Sequence, residues 1–99
     1  MDKIHHVAVQ VDDIKKAVEW YRTQFDITVS YQDETWAMLE FDNLSLALVI
    51  PSQHPNHFAI ENNEAEKFGE LTPHRDGTAS IYINDPFGNA VEIIKTNAD

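Results

Sequence analysis

The sequence predicts an α+β domain built of two βαβββ modules, the second with a shortened helix, that together form a cupped mixed sheet. Three observations carry this expectation. Apolar and polar residues alternate with period two in several strand-length runs. One apolar stripe at three- and four-residue spacing marks a helix after the first of those runs. A five-residue pattern, His6-Val7-Ala8-Val9-Gln10, returns as His57-Phe58-Ala59-Ile60-Glu61 at an offset of 51 residues, the mark of an internal duplication.

Residues 4–11 alternate as a strand, with Ile4, His6, Ala8 and Gln10 on one face and Val7, Val9 and Val11 on the other. Asp12 or Asp13 supplies an N-cap, and Ile14, Ala17, Val18, Tyr21 and Phe25 follow at helical spacing, so the helix is expected over the valine face. Three strand-like runs come next, residues 27–31, 35–41 and 44–50, parted by Gln32-Asp33-Glu34 and by Asp42-Asn43, a tight hairpin turn. In the last run Leu46, Leu48 and Ile50 share the helix-covered face and leave Ser45, Ala47 and Val49 on the opposite one. Residues 51–56, with two prolines, form a linker. The second half then offers a strand at 57–61, a helix reduced to about two turns at 64–71, a loop at 72–77, and strands at 79–84 and 90–95. Asp85-Pro86-Phe87-Gly88 between those two strands has the proline and glycine positions of a type I turn. One domain over residues 1–99 is expected, with modules at about 1–51 and 56–97.

Seven Lys and Arg against 17 Asp and Glu give a formal charge of -10, which repels a phosphate backbone and argues against a nucleic-acid partner. With no cysteine, any metal must be held by His, Asp or Glu. The start lacks the basic region and long apolar run of a signal peptide, and the longest apolar stretch, residues 46–51, is too short for a bilayer. No membrane association and a cytoplasmic location are expected.

Pairing the last strand of each half, 44–50 with 89–94, puts Ala47 and Glu92 in equivalent positions. The duplicated sheet then has four inward positions, His6, Ala47, His57 and Glu92, three of which are metal ligands. Two imidazoles and one carboxylate leave coordination positions open, as a chelating substrate requires. A strand histidine taken alone is more often a partly buried polar residue than a ligand; it is the set of three that favours a metal. Glu92, flanked by Val91, Ile93 and Ile94, needs a cation, a partner or water, the alternative being a rim carboxylate facing solvent. His54 and His74 lie in polar loops and are left outside the site, whereas Gln10 shares the face of His6 and is a substrate-facing candidate.

The run IHHVAVQVDDIKKAVEWY resembles the opening of glyoxalase I, methylmalonyl-CoA epimerase and fosfomycin-resistance proteins, and IYINDPFGNAVEII resembles their closing DP-G-E signature. Over nearly its whole length the chain resembles the vicinal oxygen chelate superfamily, which includes glyoxalases, bleomycin-resistance proteins and extradiol dioxygenases. The resemblance implies a glyoxalase-like fold with the first, third and fourth metal ligands at His6, His57 and Glu92. The second, often Glu or Gln in glyoxalases and epimerases, falls on Ala47, a departure that looks more like the three-ligand sites of extradiol dioxygenases and fosfomycin transferases. Tyr82 and Ser80 match positions that face the substrate in those transferases, but Ala8 stands where they have threonine, which weighs against drug transfer. The resemblance thus implies an enzyme using a divalent ion (Fe, Mn, Ni or Zn) to chelate vicinal oxygens of a small substrate, in dioxygenase-like or lyase/isomerase-like chemistry. The alternative is a non-catalytic, drug-sequestering protein of the bleomycin-resistance kind, with Trp20, Trp36, Tyr82 and Phe87 lining its cleft. Relatives of this length imply a homodimer, one arrangement taking His6 from one chain and His57 with Glu92 from the other.

Overall fold

A computed structural model describes residues 1–96; Asn97, the end of the expected second module, lies outside the described residues. In chain order the elements are β1 (Lys3–Gln10), α1 (Ile14–Gln24), β2 (Thr28–Gln32), β3 (Trp36–Glu40), β4 (Ser45–Val49), β5 (His57–Glu61), one turn of 3-10 helix (Ala65–Phe68), β6 (Thr72–Pro73), β7 (Ala79–Asn84) and β8 (Ala90–Lys95). The class is α+β, with parallel and antiparallel strand pairs mixed, as the sequence predicts. The chain divides into two compact units, one of residues 6–56 and one of residues 1–5 together with the described residues from His57 on, so β1 contributes to both. No helix among the described residues is long and apolar enough to cross a membrane.

In the unit of residues 6–56 the strands run in the order β2-β3-β4-β1, with β4 parallel to β1 and β3 antiparallel to its neighbours. The Asp13 carboxylate caps α1 by accepting the Lys16 N–H at 3.1 Å. The helix buries Ile14 and Val18 against Ala37, Leu39 and Leu48, with Val9 and Val11 of the expected valine face beside them. Leu39 and Leu48 are fully buried, each such side chain worth about 1.5–3 kcal/mol over an exposed one. On the other face of the sheet Ala8, Ala47 and Val49 pack with Trp36 and Met38, which is the division of β4 that its alternation predicts. At Asp42-Asn43 the Phe41 N–H donates to the Leu44 carbonyl at 2.9 Å. No non-glycine residue among those described has positive φ, so this turn is not of the primed kind that Asn-containing two-residue hairpins favour.

In the other unit the order is β1-β5-β8-β7-β6, with β5 and β8 parallel and β7 antiparallel to β8 and β6. The two halves repeat one register: Ala8 faces Ala47 across the parallel pair in the first, Ala59 faces Glu92 in the second. The Asp85 turn forms as expected, with the Gly88 N–H donating to the Asp85 carbonyl at 3.1 Å and Gly88 at φ 84.

Two expectations for this half are corrected. The helix at 64–71 is a single 3-10 turn, Ala65–Phe68. A segment this short cannot repay the cost of helix nucleation, and Gly69, at φ 142, ends it where its backbone lies against Ile81; a Cβ there would sit 2.5 Å from Ile81 Cδ1. The loop at 72–77 is a hairpin. Thr72 and Pro73 pair with Ser80 and Ala79, and Asp76-Gly77 turns the chain so that the His74 N–H donates to the Thr78 carbonyl at 2.8 Å. Pro73 is tolerated because β6 is the edge strand.

Candidate metal centre

Alternation along three strands brings a group of polar side chains to one face of the second unit. On β5 His57 and Ala59 are buried while Phe58 turns outward; on β8 Glu92 is buried; on β7 Ser80 and Tyr82 share the parity. Register does the rest, since Glu92 faces Ala59 on one side and Tyr82 on the other.

His57 Nε2 lies 3.1 Å from Glu92 Oε1, with both side chains almost wholly out of solvent at 2% and 6% exposure. Tyr82 Oη is 3.3 Å from the same nitrogen, and its ring meets the imidazole edge-on at 5.0 Å between centroids. Burial first, and then the charge of Glu92, push the Tyr82 phenol well above the ordinary tyrosine range. The phenol therefore stays neutral and can serve as a donor. On the far side of the carboxylate, His74 Nε2 lies 3.9 Å from Glu92 Oε2 and 2.7 Å from Ser80 Oγ. Ser80 is buried; His74 is about a third exposed, with 30% of its side chain accessible.

His6, on β1 in the other unit, is as buried as His57, each at 7%. The two occupy matching places: His6 stands two residues before Ala8, which faces Ala47, and His57 two before Ala59, which faces Glu92. Ala47 lies in the apolar cluster and offers no donor. Gln10 is engaged elsewhere, its side-chain amide donating to the His54 carbonyl at 2.9 Å and its N–H to Asn56 Oδ1 at 2.7 Å, which ties residues 54–56 to the end of β1. Trp36 stacks on Tyr31 at 4.2 Å, and the Tyr31 hydroxyl donates to Asp33. That bond foremost, with the N–H groups of Thr35 and Trp36, holds the Asp33 carboxyl well below the usual range. Of the other aromatics expected at a cleft, Trp20 stands exposed on α1 and Phe87 at the tip of the β7–β8 turn.

Two side chains join the picture that sequence reasoning left out. His74 reaches Ser80 and Glu92 only because residues 72–78 form a hairpin; Asp76-Gly77 was the available signal. Glu40 ends β3 on the face of Trp36 and Met38, and its two oxygens accept from the hydroxyls of Ser30, at 2.7 Å, and Ser45. Glu40 faces Ser45 across β3 and β4, and one step back from the Val7–Leu46 pair brings His6 level with Ser45. His6, Ser45 and Glu40 thus lie in one row on the same face.

The model of the Glyoxalase/Bleomycin resistance protein/Dioxygenase superfamily matches residues 3–69. Among solved structures, a hypothetical protein from Bacillus halodurans C-125 superposes with a TM-score of 0.79 at 16% identity, over 99% of this chain and 96% of that one. Streptomyces coelicolor methylmalonyl-CoA epimerase, in complex with 2-nitronate-propionyl-CoA, gives 0.76 at 18% identity over 97% and 98%. The 2,2',3-trihydroxybiphenyl 1,2-dioxygenase of Sphingomonas wittichii gives 0.61 at 20% identity, over 93% of this chain and 41% of the longer enzyme. At such identities the likeness is one of fold. No curated protein sequence matches the chain.

Proposed function

Because the chain belongs to the glyoxalase/bleomycin resistance protein/dioxygenase superfamily, we propose that it is a divalent-metal-dependent enzyme for a small substrate with two neighbouring oxygens, the ion being held by His6, His57 and Glu92. The observation that carries this reading is the buried pair of His57 Nε2 and Glu92 Oε1 at 3.1 Å. Removing a carboxylate from water is costly, and an apolar pair of the same volume would stabilise the sheet as well or better. A donor set of two imidazoles and one carboxylate suits Fe, Mn, Ni or Zn and leaves positions for substrate. When bound, such an ion acts as a Lewis acid towards the substrate oxygens, an effect of several kcal/mol.

The chain's own groups have separable roles in this reading. Tyr82, neutral and beside His57, donates a hydrogen bond to a substrate oxygen. Glu40 is the proton acceptor we nominate, since Ala47 leaves no carboxylate at the second ligand position and Glu40 shares a row with His6. The hydroxyls of Ser30 and Ser45 orient it. Ala8, Ala47 and Val49 with Met38 and Trp36 give the substrate an apolar wall.

That wall also favours a second reading, a ligand-sequestering protein without chemistry. Elemental analysis of protein purified without an affinity resin separates the two. A stoichiometric ion that is lost in both His6→Ala and His57→Ala supports the enzyme; metal-free protein whose melting ignores chelator refutes it. If iron is found, oxygen uptake with catechols marks a dioxygenase, and no uptake with Ni, Zn or Mn points to isomerase or lyase chemistry. A homodimer belongs to the same proposal: the face of the second unit that lacks a long helix leaves Phe58 and Phe68 exposed, and sedimentation at micromolar concentration tests it.

A further inference from the structure

The Glu92 carboxylate has an imidazole towards each of its oxygens, His57 Nε2 at 3.1 Å from Oε1 and His74 Nε2 at 3.9 Å from Oε2. Only His57 has a place in the proposed ligand set. We propose that His74, braced by Ser80, is a positioning residue that fixes the orientation of the Glu92 carboxylate for a cation. The inference rests on the metal-binding reading above.

A carboxylate that offers one oxygen to an ion can rotate about its last bond unless its other oxygen is held. Partners of that second oxygen commonly matter 10- to 100-fold in metal affinity, as an order of magnitude. His74 is built for such a task. Its backbone closes the β6–β7 hairpin, with the N–H of His74 on the Thr78 carbonyl at 2.8 Å and that of Gly77 on the His74 carbonyl at 3.2 Å. Asp76 Oδ1 secures the turn by accepting the Thr78 N–H at 3.0 Å and hydroxyl at 2.7 Å. The imidazole is fixed in turn by the buried Ser80 Oγ at 2.7 Å, which holds its Nε2 3.9 Å from Glu92 Oε2. With Nε2 protonated, its N–H is donated to Ser80 Oγ at 2.7 Å and its dipole also attracts the Glu92 carboxylate, whose Oε2 lies 3.9 Å away. This also gives Ser80 an employment besides facing substrate, as the acceptor that holds His74. The two-residue strand β6 becomes intelligible as the segment that delivers His74.

Cobalt(II) is the probe, added to chelator-treated full-length protein, with affinity read by competition and geometry by the visible absorption bands. His74→Ala is expected to bind cobalt about 10- to 100-fold more weakly and with shifted bands. Ser80→Ala should change both in the same direction by less, and His74→Gln, whose amide still reaches Ser80 and Glu92, should recover most of the loss. Melting in chelator should stay close to wild type, because His74 is partly exposed. Cobalt binding by His74→Ala within twofold of wild type, with unchanged bands, overturns the proposal. Should His74→Ala fail to fold, Ser80→Ala and His74→Gln decide it: wild-type binding by Ser80→Ala, or no recovery in His74→Gln, overturns it equally. Wild-type protein that binds no cobalt, or His57→Ala that binds as well as wild type, removes the metal reading itself, a failure distinct from that of His74 alone.

Discussion

Replacing both members of the buried pair, His57→Phe together with Glu92→Leu, is expected to leave the metal-free protein at least as stable as wild type, although either change alone destabilises it. The asymmetry comes from which partner each single change removes. His57→Phe keeps the ring that packs against Tyr82 but leaves Glu92 Oε1 buried without the imidazole 3.1 Å away. Glu92→Leu leaves His57 Nε2 with Tyr82 Oη at 3.3 Å, so it should cost less. Removing one partner of a buried polar group costs about 1–3 kcal/mol, more when the group is charged. For a chain of 99 residues, 1 kcal/mol moves the melting temperature by about 4–8 °C. Glu92→Leu should therefore melt roughly 5 °C below wild type and His57→Phe roughly 10–20 °C below it. The double variant removes both members of the pair, an exchange that is often neutral or stabilising in protein interiors, and takes from the partly exposed Tyr82 hydroxyl only its 3.3 Å contact with His57. The assay is thermal unfolding of all four proteins, first in chelator and then with a divalent ion at about 100 times its Kd. Under the second condition wild type gains about 2.7 kcal/mol and the double variant nothing. A double variant that in chelator melts below both single variants would show the pair to be structural, and the argument that the carboxylate is kept for a cation would fail.

Acid should act through the turn aspartates. Hydrogen bonds from the Asn89 side chain foremost, then from the Asn89 and Phe87 N–H groups, hold the Asp85 carboxyl below its ordinary range, and Asp33 is held low by Tyr31 in the same sense. With the folded values below the unfolded ones, the stability they give is full above the unfolded value of about 4 and disappears as pH falls through the folded values. Melting temperature against pH should therefore rise slightly from neutrality as the charge of -10 is reduced and then fall in acid, while Asp85→Ala starts lower and falls less steeply; an unchanged acid limb in that variant refutes the assignment. Gly69→Ala, with its φ of 142 and a contact of 2.5 Å to Ile81 Cδ1, should cost about 1–3 kcal/mol in urea unfolding, part of it regained with Ile81→Val; full stability of the single variant counts against the clash. Glu40→Gln should keep its metal content but, once a substrate is found, lose about 10²–10⁴ in turnover, and retained turnover would free Glu40 from the role of proton acceptor.

The parts of the fold legible in the sequence are those with a period to read. Val9 and Val11, the cap at Asp13, and the Ile14 and Val18 stripe belong to a strand and helix long enough to show their faces, and all meet in one core. The split of β4 into a helix-facing side with Leu48 and an opposite side with Ala47 followed from alternation alone. The errors lie where the elements are too short for a period. Ala65, Phe68 and Leu71 are spaced as a helix would space them, yet the close approach of Gly69 to Ile81, a contact between residues far apart in the chain, stops the turn after Phe68. A two-residue strand containing proline has no alternation at all, so β6 was invisible and His74 with it. Glu40 was readable as the polar end of an amphipathic strand, but its significance comes from Ser30 and Ser45, 10 and 5 residues away, whose hydroxyls converge on it only when β2, β3 and β4 are side by side.

The repeat explains why one half of the chain holds more chemistry than the other. Ala47 and Glu92 occupy the same register relative to Ala8 and Ala59, so the two halves repeat one position within the parallel pair. In the second half that place carries a carboxylate with His57, Tyr82, His74 and Ser80 disposed around it. In the first half it carries a methyl group, and the neighbours are correspondingly apolar, Ala8, Val49, Met38 and Trp36. A carboxylate introduced there by Ala47→Glu would have to be desolvated beside Ala8, Val49, Met38 and Trp36. The first half keeps His6 on β1 and, on β3, Glu40, whose carboxylate accepts from two serine hydroxyls. The repeated register thus carries a carboxylate in one half and a methyl group in the other.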